Sequence, residues 1–237
     1  MWTARLNDAL RRLRPSVLYL AGLLPLAWIV WLGIVDGLGV DPVKEIEHRL
    51  GKIALWFLAG GLVVTPLRRF AGVNLIRFRR ALGLLAFFYV VLHLAAWAFL
   101  DMGMLWGQVA ADLVKRPYLI LGLGSFVLLL PLAMTSNDRA VRWLRGNWRR
   151  LHWLVYPATL LGVVHYLWQM KVVTPEGWLW LGAILVLLAT RLRPSRWFFG
   201  NRHRSTNARW KLPFGQGGDL RNNLPRRSMR SGGATKK

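Results

Sequence analysis

Apolar residues fall into six long blocks along this chain, at residues 16–35, 49–67, 81–100, 118–134, 152–170 and 177–190, with polar segments between them. Each block is near the roughly 17–25 residues that a helix needs to cross the hydrocarbon core, the fourth and sixth being the shortest. The pattern predicts an all-α integral membrane bundle of six transmembrane helices. The first block follows Arg5, Arg11, Arg12 and Arg14, as in a signal peptide. Its apolar run is too long for one and no small-x-small site follows, so it is read as a retained helix. Three regions result: a basic arm at 1–15, a membrane domain at 16–191 and a basic tail at 192–237. From Asn201 the tail is rich in Arg, Asn, Gly and Ser. It is predicted to be disordered and to lean on anionic lipid headgroups.

Charge fixes the orientation of this pattern. The 237 residues carry a net charge of +23, which alone suggests a nucleic-acid binder. The long apolar runs argue against that reading and make the charge a topology signal. Lys and Arg crowd the N-terminal arm, residues 68–80, residues 139–150 and the tail. The alternate connections hold most of the acids: Asp36, Asp41, Glu45, Glu47, Asp101, Asp112 and Glu176. Every second connection is strongly basic, which predicts both termini in the cytoplasm. With no cysteine, thiolate-ligated clusters and thiol nucleophiles are excluded, and a redox metal must rely on histidine.

Four of the five histidines, His48, His93, His152 and His165, lie within or at the edge of predicted spans; His203 sits in the tail. Ionisable residues in spans are rare and mark function by default. One such histidine is readily explained as a helix–helix hydrogen bond. Several, with almost no embedded carboxylate, favour haem ligation. His93 lies about twelve residues into the third block, or ~18 Å, and His165 thirteen into the fifth, or ~20 Å. Both reach one level in the outer half of the bilayer, as a bis-histidine b-type haem requires. Such a haem suits electron transfer better than oxygen binding.

His152 lies near the inner face, where a second haem would complete a wire. Its partner position on the third block, near Arg79 or Arg80, holds no histidine. On a straight helix His152 and His165 would be roughly 140° apart, and Pro157 between them could kink the helix and change that phase. His48, with Glu45, opens the second block. These residues serve either as a helix start with favourable acids or as a quinol or partner-docking site.

Several spaced blocks resemble the MsrQ (YedZ) family, whose members are haem-binding membrane subunits. They include Ala21 to Pro25, Asp41 to Lys44, Ile46 to His48, Thr65 to Leu67, and Arg79, Arg80, Leu82 and Gly83. Others are His93-Leu94, Arg116 to Leu119, Leu151-His152 and His165 to Trp168. The resemblance implies a ferric-reductase-like transmembrane domain at 16–191 in a bacterial inner membrane. It implies one or two b haems on His93, His152 and His165, with metal ligation by all three. It also implies electrons taken from the respiratory quinone pool and passed to MsrP, a periplasmic molybdopterin enzyme that reduces methionine sulfoxide in oxidised proteins. No sulfoxide-reducing site is expected in this chain itself. The family is further associated with FMN, for whose phosphate Arg77, Arg79 and Arg80 are candidates; a basic loop beside a membrane is also an ordinary topology signal. The alternatives are a ferric or oxygen reductase fed by a separate cytosolic NAD(P)H-flavin reductase, and a non-redox transporter.

Overall fold

The computed structural model describes residues 2–170 and 172–191; the predicted tail from 192 lies outside them. The arm before the first span is itself helical, α1 (Trp2–Arg12). Trp2, Leu6 and Leu10 recur at helical spacing on it, so an amphipathic pattern hides within a stretch that reads simply as basic. Asn7 ties α1 to the turn after the third helix. Its Nδ2 donates to the Gly72 carbonyl at 3.0 Å and its Oδ1 accepts from the Asn74 N–H at 2.9 Å. Gly72 has φ +68°, a conformation that a side chain would strain.

Helix α2 (Pro15–Ile34) starts on a proline, where the missing N–H is harmless. Its internal Pro25 is met by Tyr89 from a neighbouring helix. The Tyr89 hydroxyl donates to the Gly22 carbonyl at 2.7 Å and accepts from the Leu26 N–H at 3.1 Å. It thereby stands in for one rung of the α2 ladder. Helix α3 (Pro42–Phe70) is capped by Asp41, which accepts from the Lys44 N–H and, at 2.6 Å, from Lys44 Nζ. The hydrogen bond from the Lys44 side chain holds the Asp41 carboxyl below its ordinary range.

A 3-10 turn, Ile76–Phe78, leads into α4 (Arg79–Ala95), which continues as a π-helical segment, Ala96–Asp101. Helix α5 (Trp106–Lys115) is short, and α6 (Pro117–Met134) follows it. Two small helices, α7 (Asp138–Leu144) and α8 (Gly146–Leu151), precede a 3-10 turn, His152–Leu154. The chain then forms α9 (Val155–Trp168) and α10 (Pro175–Ala189).

Among the described residues four helical stretches are long and apolar enough to cross a membrane: α2, α3, Ile76–Asp101 and α6. The sequence pattern predicts six. The fourth, expected to be short, reaches 18 residues; the fifth and sixth come out at 14 and 15. The fifth loses its first turn to the 3-10 segment at His152–Leu154. Leu20, Leu24, Trp28, Trp31 and Val127 are all exposed, the reverse of a water-soluble fold. An all-α bundle with several long helices and an apolar exterior is a multi-span membrane protein.

Inside, α3 packs mainly on α4 and α6 mainly on α9, while α4 and α9 meet each other only sparsely. The two pairs close on Ala86 of α4 and Ala158 of α9, both fully buried in one cluster with Leu58, Leu129 and Leu132. Helix α10 is held against α3 by the Lys52–Glu176 ion pair at 2.9 Å and by edge-on contact of Trp56 with Trp180.

Candidate metal centre

Seven residues beyond Ala86 on α4 stands His93, and seven beyond Ala158 on α9 stands His165. Two helical turns cover about 10 Å, so helices whose alanines share one core cluster present both rings at one height. The imidazole centres are 6.2 Å apart with planes at 71°. His93 Nδ1 donates to the Glu47 carbonyl at 2.9 Å, and His165 Nδ1 to the Tyr118 carbonyl at 2.8 Å. Each ring is thereby fixed in orientation and tautomer, leaving Nε2 with a free lone pair.

Glycines bring the neighbouring helices close to these rings. A Cβ on Gly51 of α3 would lie 3.3 Å from the His93 ring, and one on Gly122 of α6 would lie 3.0 Å from the His165 ring. Any larger residue would press the imidazole out of place. A metal–nitrogen bond of about 2 Å on each side, plus roughly 1 Å from nitrogen to ring centre, calls for ring centres about 6 Å apart. The observed spacing suits two axial ligands on one ion. Among the described residues there is no group of three or more His, Cys, Asp or Glu that could hold a bare metal ion. Two imidazole donors would fit a metal whose remaining ligands are its own, as in a porphyrin.

His152 lies at the other end of the bundle. Its Nδ1 donates to the Trp148 carbonyl at 3.1 Å and its ring stacks on the Trp148 indole, centres 3.8 Å apart. Arg79, seven residues before Ala86, is near enough to interact with it electrostatically. Pro157 falls in the first turn of α9, where proline is tolerated, and is not what changes the phase along this helix. The 3-10 turn does that. Three steps at about 120° and ten at about 100° leave His152 and His165 roughly 80° apart.

The remaining candidates are dispersed. Glu45 Oε1 accepts from Arg49 Nε at 2.6 Å, and His48 is exposed on the same turn. Arg77 donates to the carbonyls of Leu10 and Arg11 at the end of α1, and Arg80 pairs with Asp138 at 2.9 Å. Of the three arginines only Arg79 acts electrostatically on His152, while Arg77 and Arg80 bind elsewhere. Sequence reasoning missed Glu47, Tyr118 and Trp148, whose backbone carbonyls hold the rings. It also missed Gly51 and Gly122, which a search for small residues inside apolar helices could have found.

Residues 47–163 match the family model described as "Ferric reductase like transmembrane component". A protein-methionine-sulfoxide reductase heme-binding subunit MsrQ from Agrobacterium fabrum is 46% identical over 189 residues, 78% of this chain and 88% of the relative. The MsrQ of Xanthomonas euvesicatoria is 46% identical over 75% of this chain and 84% of its own length. That of Rhizobium meliloti is 45% identical over 75% and 83%. No solved structure matches. Identity at this level across three quarters of the sequence, on a helical membrane scaffold, means that the chain belongs to the MsrQ family, multi-pass proteins of the bacterial inner membrane.

Proposed function

We propose that this chain is the haem-binding membrane subunit of a protein-methionine-sulfoxide reductase system. It carries electrons from the quinone pool through b-type haem to a periplasmic MsrP-type molybdopterin enzyme, which repairs oxidised proteins. The observation that carries this reading is the His93–His165 pair, with 6.2 Å between ring centres and both Nδ1 atoms committed to backbone carbonyls. The relatives' names supply the partner system. Haem held by His93 and His165 would supply a one-electron centre. The protein's own part is to hold two neutral imidazoles at fixed height and keep the site among apolar helices. His152 is the ligand for a second, inner haem.

The proposed topology is six spans with both termini cytoplasmic, α9 with its 3-10 turn and α10 being the fifth and sixth. The basic segments support it by gathering at one end: α1 binds the turn at 72–77, and Arg80 bridges to Asp138 in the next basic loop. Asp41, Glu45 and Glu176 lie in the alternate connections and at the starts of the helices that follow them. On the donor side, a cavity of about 220 Å³ lined by Pro25, Trp28, Ile29, Arg49, Lys52, Ile53 and Trp56 opens between α2 and α3. It is a place for an apolar quinol beside the turn that carries His48 and Glu45. FMN is proposed as a further cofactor from the family association alone.

The test is haem reduction in sealed vesicles, first with menaquinol alone and then with NADPH and a flavin reductase. Reduction by menaquinol is the expected result. Reduction only in the second condition would replace this reading with a ferric or oxygen reductase fed from the cytosol. Protein expressed with ample haem but lacking a Soret band would remove the redox reading.

A further inference from the structure

We infer that α1 is an interfacial anchor whose exposed apolar stripe lies in the cytoplasmic leaflet of the bilayer, with its arginines on anionic lipid headgroups. At about 100° per residue, α1 divides into three sectors. Thr3, Asn7 and Leu10 fall within roughly 60° of one another and are half-buried. Trp2, Leu6 and Ala9 fill a second sector of roughly 60° and are exposed. Arg5, Asp8, Arg11 and Arg12 occupy the rest, and all are exposed.

The half-buried sector holds α1 to the protein. Asn7 bonds Gly72 and Asn74, just past the end of α3, and Arg77 donates to the Leu10 and Arg11 carbonyls just before α4 begins. The middle and the end of α1 are therefore fixed at the level where α3 finishes and α4 starts. The helix lies along that boundary instead of carrying α2 outward. Past the end of α1 the exposed apolar positions continue at helical spacing, as Leu13, Val17, Leu20 and Leu24, into the outer surface of α2. What covers that surface of α2 is lipid, and the stripe of α1 is its continuation. Charge agrees with this occupant. Among the described residues Arg5, Arg11 and Arg12 have no carboxylate partner. A bilayer interface takes such a helix with its apolar face at the acyl boundary, tryptophan at headgroup level and arginines toward anionic lipid. A free amphipathic helix has to find that position by itself, whereas Asn7 and Arg77 set it in advance here.

Only the choice of leaflet rests on the topology proposed above. The chain has no cysteine, so nitroxide labels can be placed singly on the full chain. Ala9→Cys puts the label in the stripe and Asp8→Cys puts it in the charged sector, each in nanodiscs of phosphatidylethanolamine and phosphatidylglycerol. Relaxation by oxygen, which concentrates in lipid, is compared with relaxation by a water-soluble nickel chelate. Oxygen should prevail several-fold in Ala9→Cys, and nickel should prevail in Asp8→Cys. Nickel prevailing at both positions overturns the anchor, because the stripe then faces water. Protection from both reagents in Ala9→Cys also overturns it, because a protein surface then covers the stripe. Adding Arg5→Gln and Arg12→Gln to Ala9→Cys should raise nickel access several-fold in these discs and leave it unchanged in discs of phosphatidylcholine alone. No difference between the two discs would overturn the headgroup contact. A membrane-impermeant maleimide assigns the side. Labelling of Asp8→Cys in intact cells would overturn the leaflet and the topology together, whereas the nitroxide depths judge the helix by itself.

Discussion

The two ends of the bundle are built on one frame and equipped differently. From Ala86 and Ala158, buried in one core cluster, two turns in one direction reach His93 and His165, and about two turns in the other reach Arg79 and His152. At the first end two imidazoles lie with centres 6.2 Å apart, each held by a carbonyl from a neighbouring helix and each packed close to a glycine. At the second end one imidazole is stacked on Trp148, with Arg79 near enough to interact with it electrostatically. The backbone thus offers equivalent heights, and a single residue at each height selects the chemistry. Imidazole pairs suit a metal, whereas guanidiniums suit an anion.

The largest effect that would break this contrast comes from the ligands. His93→Ala and His165→Ala should each abolish the outer haem, read as loss of its Soret signal and of haem per chain by pyridine haemochrome. His152→Ala should leave that haem in part. Equal and complete loss in all three would mean that the ends are not independent, and haem retained in His93→Ala would remove the geometric premise.

Next in size, Gly122→Val should drive a side chain into the His165 ring and weaken haem retention by roughly tenfold or more, since overpacking costs about 1–3 kcal/mol. Gly51→Ala, with its longer approach to His93, should do less. A reversed order would show that the glycines are not what seats the rings. Smaller and confined to stability, Tyr89→Phe leaves the Gly22 carbonyl and Leu26 N–H without their bridge. It should lower stability in detergent by about 1–3 kcal/mol while haem content stays unchanged. The smallest effect belongs to the exposed Arg80–Asp138 pair. Arg80→Ala should cost at most about 1 kcal/mol and leave the Soret band unmoved. A lost haem there would implicate Arg80, and not Arg79, in the inner end.

Much of the fold follows from runs of apolar residues, because a spanning helix must satisfy its own backbone and meet lipid with most of its surface. The later apolar segments are harder to read. A 3-10 turn at His152–Leu154 and a short α10 depend on local hydrogen bonding that composition does not encode. The helical arm, α1, was obscured by its own arginines, which read as topology before they read as one face of a helix.

The sequence by itself determined that this is a helical membrane protein, that any metal chemistry would have to use histidine, and that His93 and His165 fall at similar distances along their helices. Rise per residue and the absence of cysteine are properties of the chain alone. Only the tertiary structure decided which way the rings are held, because every residue owns a carbonyl and nothing in a side-chain alphabet says that Glu47 and Tyr118 lend theirs. It also decided that Arg77 binds the end of α1 and that Arg80 pairs with Asp138, fifty-eight residues on. Such pairings arise from how helices pack, and packing is a property of surfaces brought together, not of order along the chain.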